Sequence, residues 1–274
     1  MYSYIIDKYY NGYTIRKYLE EFKLSTSKIN RIINENKYLV NGEKKDLLHT
    51  GDLLEIEDIF NETEVEIVDL PIDIVFEDDY ILVVNKPNNL IIYGDIDDTL
   101  DKRVANYLKK IAIKPIPRHI YRLDKDTIGL MIYAKDPLTL SRLSNDVENK
   151  ILKKEYLAIC HGITNKKGTL EFPIGKDRHN NNKMVVYKNG KEAITNYERI
   201  ACNNQFSLLK INLLTGRTHQ IRLHFSHINH PILGDKIYGC DDFSELKLQA
   251  YLINFVEPVT KKDLTITVKS KLHL

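Results

Sequence analysis

Short apolar runs, each closed by a turn signal, recur along most of this chain and leave little room for helices. "YILVVNKP" (Tyr80–Pro87), "KKEYLAICHG" (Lys153–Gly162), "ITNYERI", "FSLLKINLL" and "LTITVKS" all read as strands. Many strands with few intervening helices fit an α+β fold, built on a mainly antiparallel β-sheet with flanking helices. One such helix is expected after Asp136-Pro137, with Asp as N-cap, Pro in the first turn and Leu140 and Leu143 facing inward.

The first 60 residues form a separate pattern, predicted to be a small α/β domain. In "TIRKYLEEF", Ile15, Tyr18, Leu19 and Phe22 share a helical face, and in "STSKINRIINEN" Ile29, Ile32 and Ile33 do so behind Ser25 or Ser27 as N-cap. "YLVNGEKK" holds an Asn41-Gly42 hairpin signal, and "TGDLLEIED" adds a second turn and strand. Basic residues outnumber acids in the helices and hairpin, which suits an RNA-gripping module, although a dimerisation unit fits almost as well. Residues 61–71, "NETEVEIVDLP", are acidic, end in proline and read as a linker, so the larger domain spans 72–274.

No apolar run approaches the ~18 residues of a membrane span, and the N-terminus lacks the pattern of a signal peptide. Cys160, Cys202 and Cys240 are far apart without CxxC spacing, which argues for reduced thiols in the cytoplasm and against a disulfide framework or thiolate zinc site. Net charge is only +2, but it is unevenly spread. From Asp52 to Asp79 there are acids and no Lys or Arg. From Asp101 to Lys125 the balance is strongly basic. Such runs are ordinarily solvated faces, yet basic segments around one acid are compatible with a polyanion partner.

Three stretches hold candidate chemistry. In "RHIYRLDKDTIGLMIYAKD", Asp124 lies between Arg122 and Lys125 at the threshold of a strand. It is either half of a structural ion pair or a carboxylate kept ionised for chemistry. "LLTGRTHQIRLHFSHINHPILGDKIYG" offers a helix with Arg217, His219, Gln220 and Arg222 near its start. His219, His224, His227 and His230 invite a zinc reading, but no acid lies between Arg217 and Pro231 and HExxH is missing. Arginines with neutral histidines, Thr and Gln also suit phosphate contacts. In "KKEYLAICHG", Tyr156 is either a core residue or a ring for an extruded base.

In this order, the three stretches resemble the RluA-type family of RNA pseudouridine synthases. "YRLDKDTIGLMIYAKD" looks like that family's "HRLDxxTSGLLxxAK", "KKEYLAICHG" its "KxYxAxxxG" and "LLTGRTHQIRLHFSHINHPILGDKIYG" its "TGRTHQIRxHxxxxxHPIxGDxxYG". "FEDDYILVVNKPNNL" is similar to its "EDxxxxVxNKPxGL". "TIRKYLEEFKLS", "VNGEKK" and "GDLLEI" resemble, more loosely, a ribosomal S-four-like RNA-binding domain. Tyr121, Ile128, Asn89 and Gln249 depart from the patterns and bear on loop geometry and substrate choice.

The resemblance implies the pseudouridine synthase fold and an isomerase that acts on a flipped-out uridine. Its substrate would be ribosomal RNA, with transfer RNA as an alternative, and its state monomeric and cytoplasmic. No cofactor or metal is implied, because the glycosidic bond is cleaved and re-formed without oxidation or an external donor. Asp124 is then the essential residue, Arg222 its charged partner and Tyr156 the ring against the uracil. Arg122 would displace the base, while Lys154, Arg217, His219 and Gln220 would contact RNA, and Asp126 would belong to the loop. The competing readings are a non-catalytic RNA-binding or ribosome-assembly factor and a histidine-zinc hydrolase.

Overall fold

The computed structural model describes residues 1–178, 183–239 and 245–274. Cys240 lies outside the described residues. Cys160 is a buried free thiol and Cys202 an exposed one.

Helix α1 (Ile15–Glu21) starts where Thr14 accepts from the Lys17 amide, and α2 (Thr26–Asn34) where Ser25 accepts from Lys28. They pack on an antiparallel sheet of β1 (Tyr2–Ile5), β2 (Tyr38–Val40) and β3 (Leu53–Ile56), in the order β1-β3-β2. The core beneath is rich in aromatics, with Tyr4, Tyr10, Tyr18 and Phe22 almost fully buried. Asn41 and Gly42 both take positive φ (52° and 78°), as a tight two-residue turn requires. That turn closes only a single bridge from Val40 to Glu43, and the true partner of β2 is β3, reached through a longer loop.

The rest of the chain builds one ten-stranded sheet. Its strands are β4 (Ile74–Glu77), β5 (Ile81–Lys86), β6 (Arg118–His119), β7 (Ile128–Ala134), β8 (Lys153–His161), β9 (Lys167–Glu171), then β12, β13, β14 and β15. A separate hairpin of β10 (Ile174–Lys176) and β11 (Met184–Val186) precedes β12 (Ile194–Cys202) and β13 (Phe206–Leu213); β14 (Leu248–Val256) and β15 (Asp263–Thr267) end the chain. The central order is β4-β5-β7-β14-β8-β13-β12-β9, and every pairing but β7–β14 is antiparallel. Helices α3 (Leu100–Lys110), α4 (Pro137–Glu148) and α5 (Gln220–His227) accompany it. The expected α+β class with a mainly antiparallel sheet is what the chain adopts. Asp136 caps α4 as expected, accepting from Leu138 and Thr139.

Two findings change the sequence picture. Residues 61–71 are irregular but no loose tether: Val65 donates to the Pro115 carbonyl and Val68 to that of Lys102. Three of their carboxylates, together with Asp58 just before them, also meet the basic run. Lys102 pairs with Glu66, Lys110 with Asp69, Lys114 with Asp58, and Arg118 with Glu62 at 2.6 Å. Much of the Asp101–Lys125 charge is therefore paired inside the protein. Second, the N-terminal core extends onto the larger part of the chain, for Leu138 of α4 and Val259 of the turn between β14 and β15 belong to it. Tyr4 donates to Asp136 at 2.8 Å and Tyr10 to the Pro258 carbonyl at 2.6 Å across the same boundary.

Candidate active site

The sheet register sets the geometry of the site. Gly129 on β7 faces Ala250 on β14, which faces Tyr156 on β8, which in turn faces Ile211 on β13. This row brings the loop that precedes β7 beside the tyrosine of β8. Gly129 has φ +117°, and a Cβ there would lie 2.1 Å from the Ala250 carbonyl oxygen. Only glycine permits that close approach. An open cavity of about 720 Å³ results, lined by Asp124, Arg122, Lys154, Tyr156, Arg217, His219, Gln220 and Arg222 together.

Asp124 reaches this cavity with its side chain 25% exposed. Its carboxylate accepts no hydrogen bond among the described residues. Arg222 lies 3.6 Å away and His219 Nε2 3.9 Å, so the oxygens are attracted by charge while their lone pairs stay available. The loop is held from behind by Lys86, fully buried, whose ammonium donates to the carbonyls of Pro87, Leu90 and Lys125. Burial pushes the Lys86 pKa down to about 8, opposed by Asp126 and Asp124. The Thr127 amide closes the turn onto the Asp124 carbonyl.

Arg222 is anchored elsewhere than expected. Its two short hydrogen bonds, 2.8 and 2.7 Å, go to Asp235, a carboxylate with no exposure that also accepts from the Ile237 and Tyr238 amides. Burial by itself would lower the Arg222 pKa; the Asp235 pairing and the charge of Asp124 raise it. The arginine is thus locked in place before it meets Asp124. His219 precedes α5 in a left-handed conformation (φ 56°), so the helix begins at Gln220, three residues later than the Arg217 start the sequence suggests. Its Nδ1 lies 3.0 Å from the Tyr238 hydroxyl. Burial lowers its pKa, with Asp124 opposing and Arg222 reinforcing, which favours the neutral imidazole.

Tyr156 is buried, and burial together with the charge of Asp124 raises its pKa well above normal, so it is a neutral phenol. Lys154 places its ammonium 4.1 Å from the Tyr121 ring centroid, and burial lowers its pKa to about 8. The Tyr121 hydroxyl donates to the Leu130 carbonyl at 2.8 Å, which fixes the ring. Asn89 stands where the family pattern has glycine and accommodates the backbone with φ 58°. Gln249, another departure, is buried and bonded to the backbone of Lys269 and Lys271.

Not every expected residue is free to bind. Gln220 is 2% exposed, and its amide is occupied by Thr215, the Arg217 amide, the Ile194 carbonyl and Thr195. It is a strut of the wall, with its amide committed inside the protein. Arg217 ties Nε to the Glu192 carbonyl at the exposed rim. The other histidines are dispersed: His224 bonds the Phe172 carbonyl, His230 that of His161, and His227 packs edge-on against Phe172. Among the described residues no three His, Cys, Asp or Glu side chains are grouped as metal ligands. The sequence reading gave no role to Lys86, Asp235, Tyr238 or Tyr93. A lysine at the end of an apolar run and a Gly-Asp pair after the arginine helix were their visible traces.

A model of the family described as RNA pseudouridylate synthase matches residues 80–227. The ribosomal large subunit pseudouridine synthase D of Salmonella typhimurium is 37% identical over 223 residues, covering 78% of this chain and 68% of that protein. The protein of the same name in Pasteurella multocida is 33% identical over 260 residues, covering 86% and 80%. The solved structure of human RNA Pseudouridylate Synthase Domain Containing 4 shares the fold, with a TM-score of 0.62 at 22% identity over 72% of this chain and 88% of that one. In the described residues, no helix is long and apolar enough to cross a membrane.

Proposed function

This chain belongs to the RNA pseudouridylate synthase family, and we propose that it converts uridine to pseudouridine in large-subunit ribosomal RNA with Asp124 as the essential carboxylate. The names of its relatives support that RNA over transfer RNA. The observation that carries the assignment of Asp124 is its carboxylate, unbonded at the cavity and flanked by Arg222 at 3.6 Å.

In the reaction the bond from ribose C1′ to uracil N1 breaks, a bond from C1′ to C5 forms, C5 loses its proton and a ring nitrogen regains one. Asp124 serves as nucleophile or as base and electrostatic stabiliser of the sugar. Arg222, fixed by Asp235, holds a positive charge 3.6 Å from that carboxylate. Neutral Tyr156 packs on the uracil and does not rest as a base. Arg122 takes the place the base leaves in the stack, and Lys154, His219 and Arg217 contact RNA at the wall and rim. Residues 1–60 serve as an RNA-binding domain ahead of a catalytic domain at 72–274, in a monomeric cytoplasmic enzyme.

Release of tritium from C5 of uridine in ribosomal RNA tests the reading. The wild type is expected to release tritium, and Asp124→Asn to lose at least about a thousandfold, the scale for a reacting group. Equal release by both proteins would sink the assignment of Asp124.

A further inference from the structure

We propose that the half-exposed ring of Tyr93, at the mouth of the cavity, is a stacking site for an unpaired RNA nucleobase beside the target uridine. The proposal rests on the function proposed above and extends it to a second nucleotide. Tyr93 is 50% exposed at the cavity wall. It is nonetheless held. Its ring lies parallel to that of His119, 5° apart in plane and 5.4 Å between centroids. His119 Nδ1 lies 3.2 Å from the Asp101 carboxylate, which is buried and also accepts from the buried Tyr133 hydroxyl at 2.8 Å. Tyr133, Asp101, His119 and Tyr93 thus form a connected support from the core outward.

Arg122 holds the ring as well. Arg122 Nη1 donates to the Tyr93 hydroxyl at 2.5 Å, with the guanidinium 5.7 Å from the ring centroid. A platform already ordered gives up little side-chain freedom when a flat partner settles on it. What partner suits it follows from the surroundings. Tyr93, His119 and Arg122 border the same cavity as Asp124, and Lys125 and Arg217 are exposed cations at its rim. Flat aromatic surface beside uncompensated positive charge is what a single strand needs, with bases on rings and phosphates on cations. Because every base has a π-face, the site tolerates any base.

The test is a coupling between Tyr93 and one base. Both proteins carry Asp124→Asn so that the RNA stays unreacted, and the probes are short single-stranded oligoribonucleotides centred on uridine. One probe is intact; two others are abasic immediately 5′ or 3′ of the uridine. Tyr93→Ala is expected to weaken the intact probe by about 5- to 100-fold. One abasic probe should bind the Tyr93-containing protein more weakly by a similar factor, yet bind the Tyr93→Ala protein no worse than the intact probe does. Tyr93→Phe, which keeps the ring and loses the hydroxyl, should stay within about threefold of the parent. Unchanged thermal midpoints for both variants exclude a folding defect as the cause.

Equal losses from the abasic sites with and without Tyr93 would overturn the proposal, and so would unchanged affinity on Tyr93→Ala or failure of every probe to bind. Tritium release separates it from the reaction. Release by the Asp124-bearing protein without coupling removes the stacking site alone; coupling without release supports the site and removes the isomerase reading.

Discussion

Two lysines border the Asp124 loop, and the fold uses them differently. Lys86 gives its protons to three backbone carbonyls and has none left for a ligand. Lys154 lies on the cavity wall against the Tyr121 ring, with no carboxylate paired to it among the described residues. Its pKa, lowered by burial to about 8 from 10.5, makes it cationic below that pH and neutral above it. If its charge meets RNA, affinity falls as pH rises through about 8. Lys154→Arg, charged throughout, should flatten that part of the profile, and Lys154→Met should be weak at every pH; fluorescence titrations from pH 6.5 to about 9 would show it. An identical profile in all three proteins would remove Lys154 from the RNA contacts. The nearness of Arg222 to Asp124 was legible in the sequence through their neighbours, whereas the service of Asp235 to Arg222 was not. That pairing depends on a turn thirteen residues downstream folding back on the helix, and composition does not encode such a return.

At the scale of elements, the strand row Gly129, Ala250, Tyr156 and Ile211 joins the loop to the tyrosine. Gly129→Ala would place a methyl 2.1 Å from the Ala250 carbonyl oxygen, at a φ that L-residues avoid. The expected cost is more than about 2 kcal/mol in urea unfolding. Tritium release should fall as well, even at temperatures where the variant is folded, because β7 must part from β14 and take Asp124 with it. Retention of full activity and stability would show that the strands tolerate a side chain. The strands and α4 were readable because period, caps and breakers are local. The parallel β7–β14 pairing joins segments about 120 residues apart in sequence, and no local pattern announces it. The start of α5 was misplaced for a related reason: His219 takes a left-handed turn to reach Tyr238 and Asp124, a tertiary demand that helical spacing does not reveal.

Across the whole molecule, acid and base segments that are separate in sequence prove to be partners in space. Glu62 meets Arg118, whose guanidinium side chain is 2% exposed and also donates to the Lys135 carbonyl and the Tyr2 hydroxyl. Glu21 binds both Arg142 and Lys261. With these pairs and a shared apolar core, the N-terminal unit and the large sheet are expected to unfold as one. Tyrosine emission, to which residues 1–60 contribute seven of the 17 tyrosines, and far-UV circular dichroism should trace the same urea transition. Two separated midpoints would show that the contacts across the boundary are too weak to couple the parts.

The hydrogen bond from Tyr10 to Pro258 spans 248 residues. At ribosomal speeds of about 5–20 residues per second, the acceptor emerges on the order of ten to fifty seconds after the donor. Until then, residues 1–60 wait with an unfinished face, missing the Leu138 and Val259 that complete their core. The maturation of that unit is therefore timed by the synthesis of a segment 248 residues downstream.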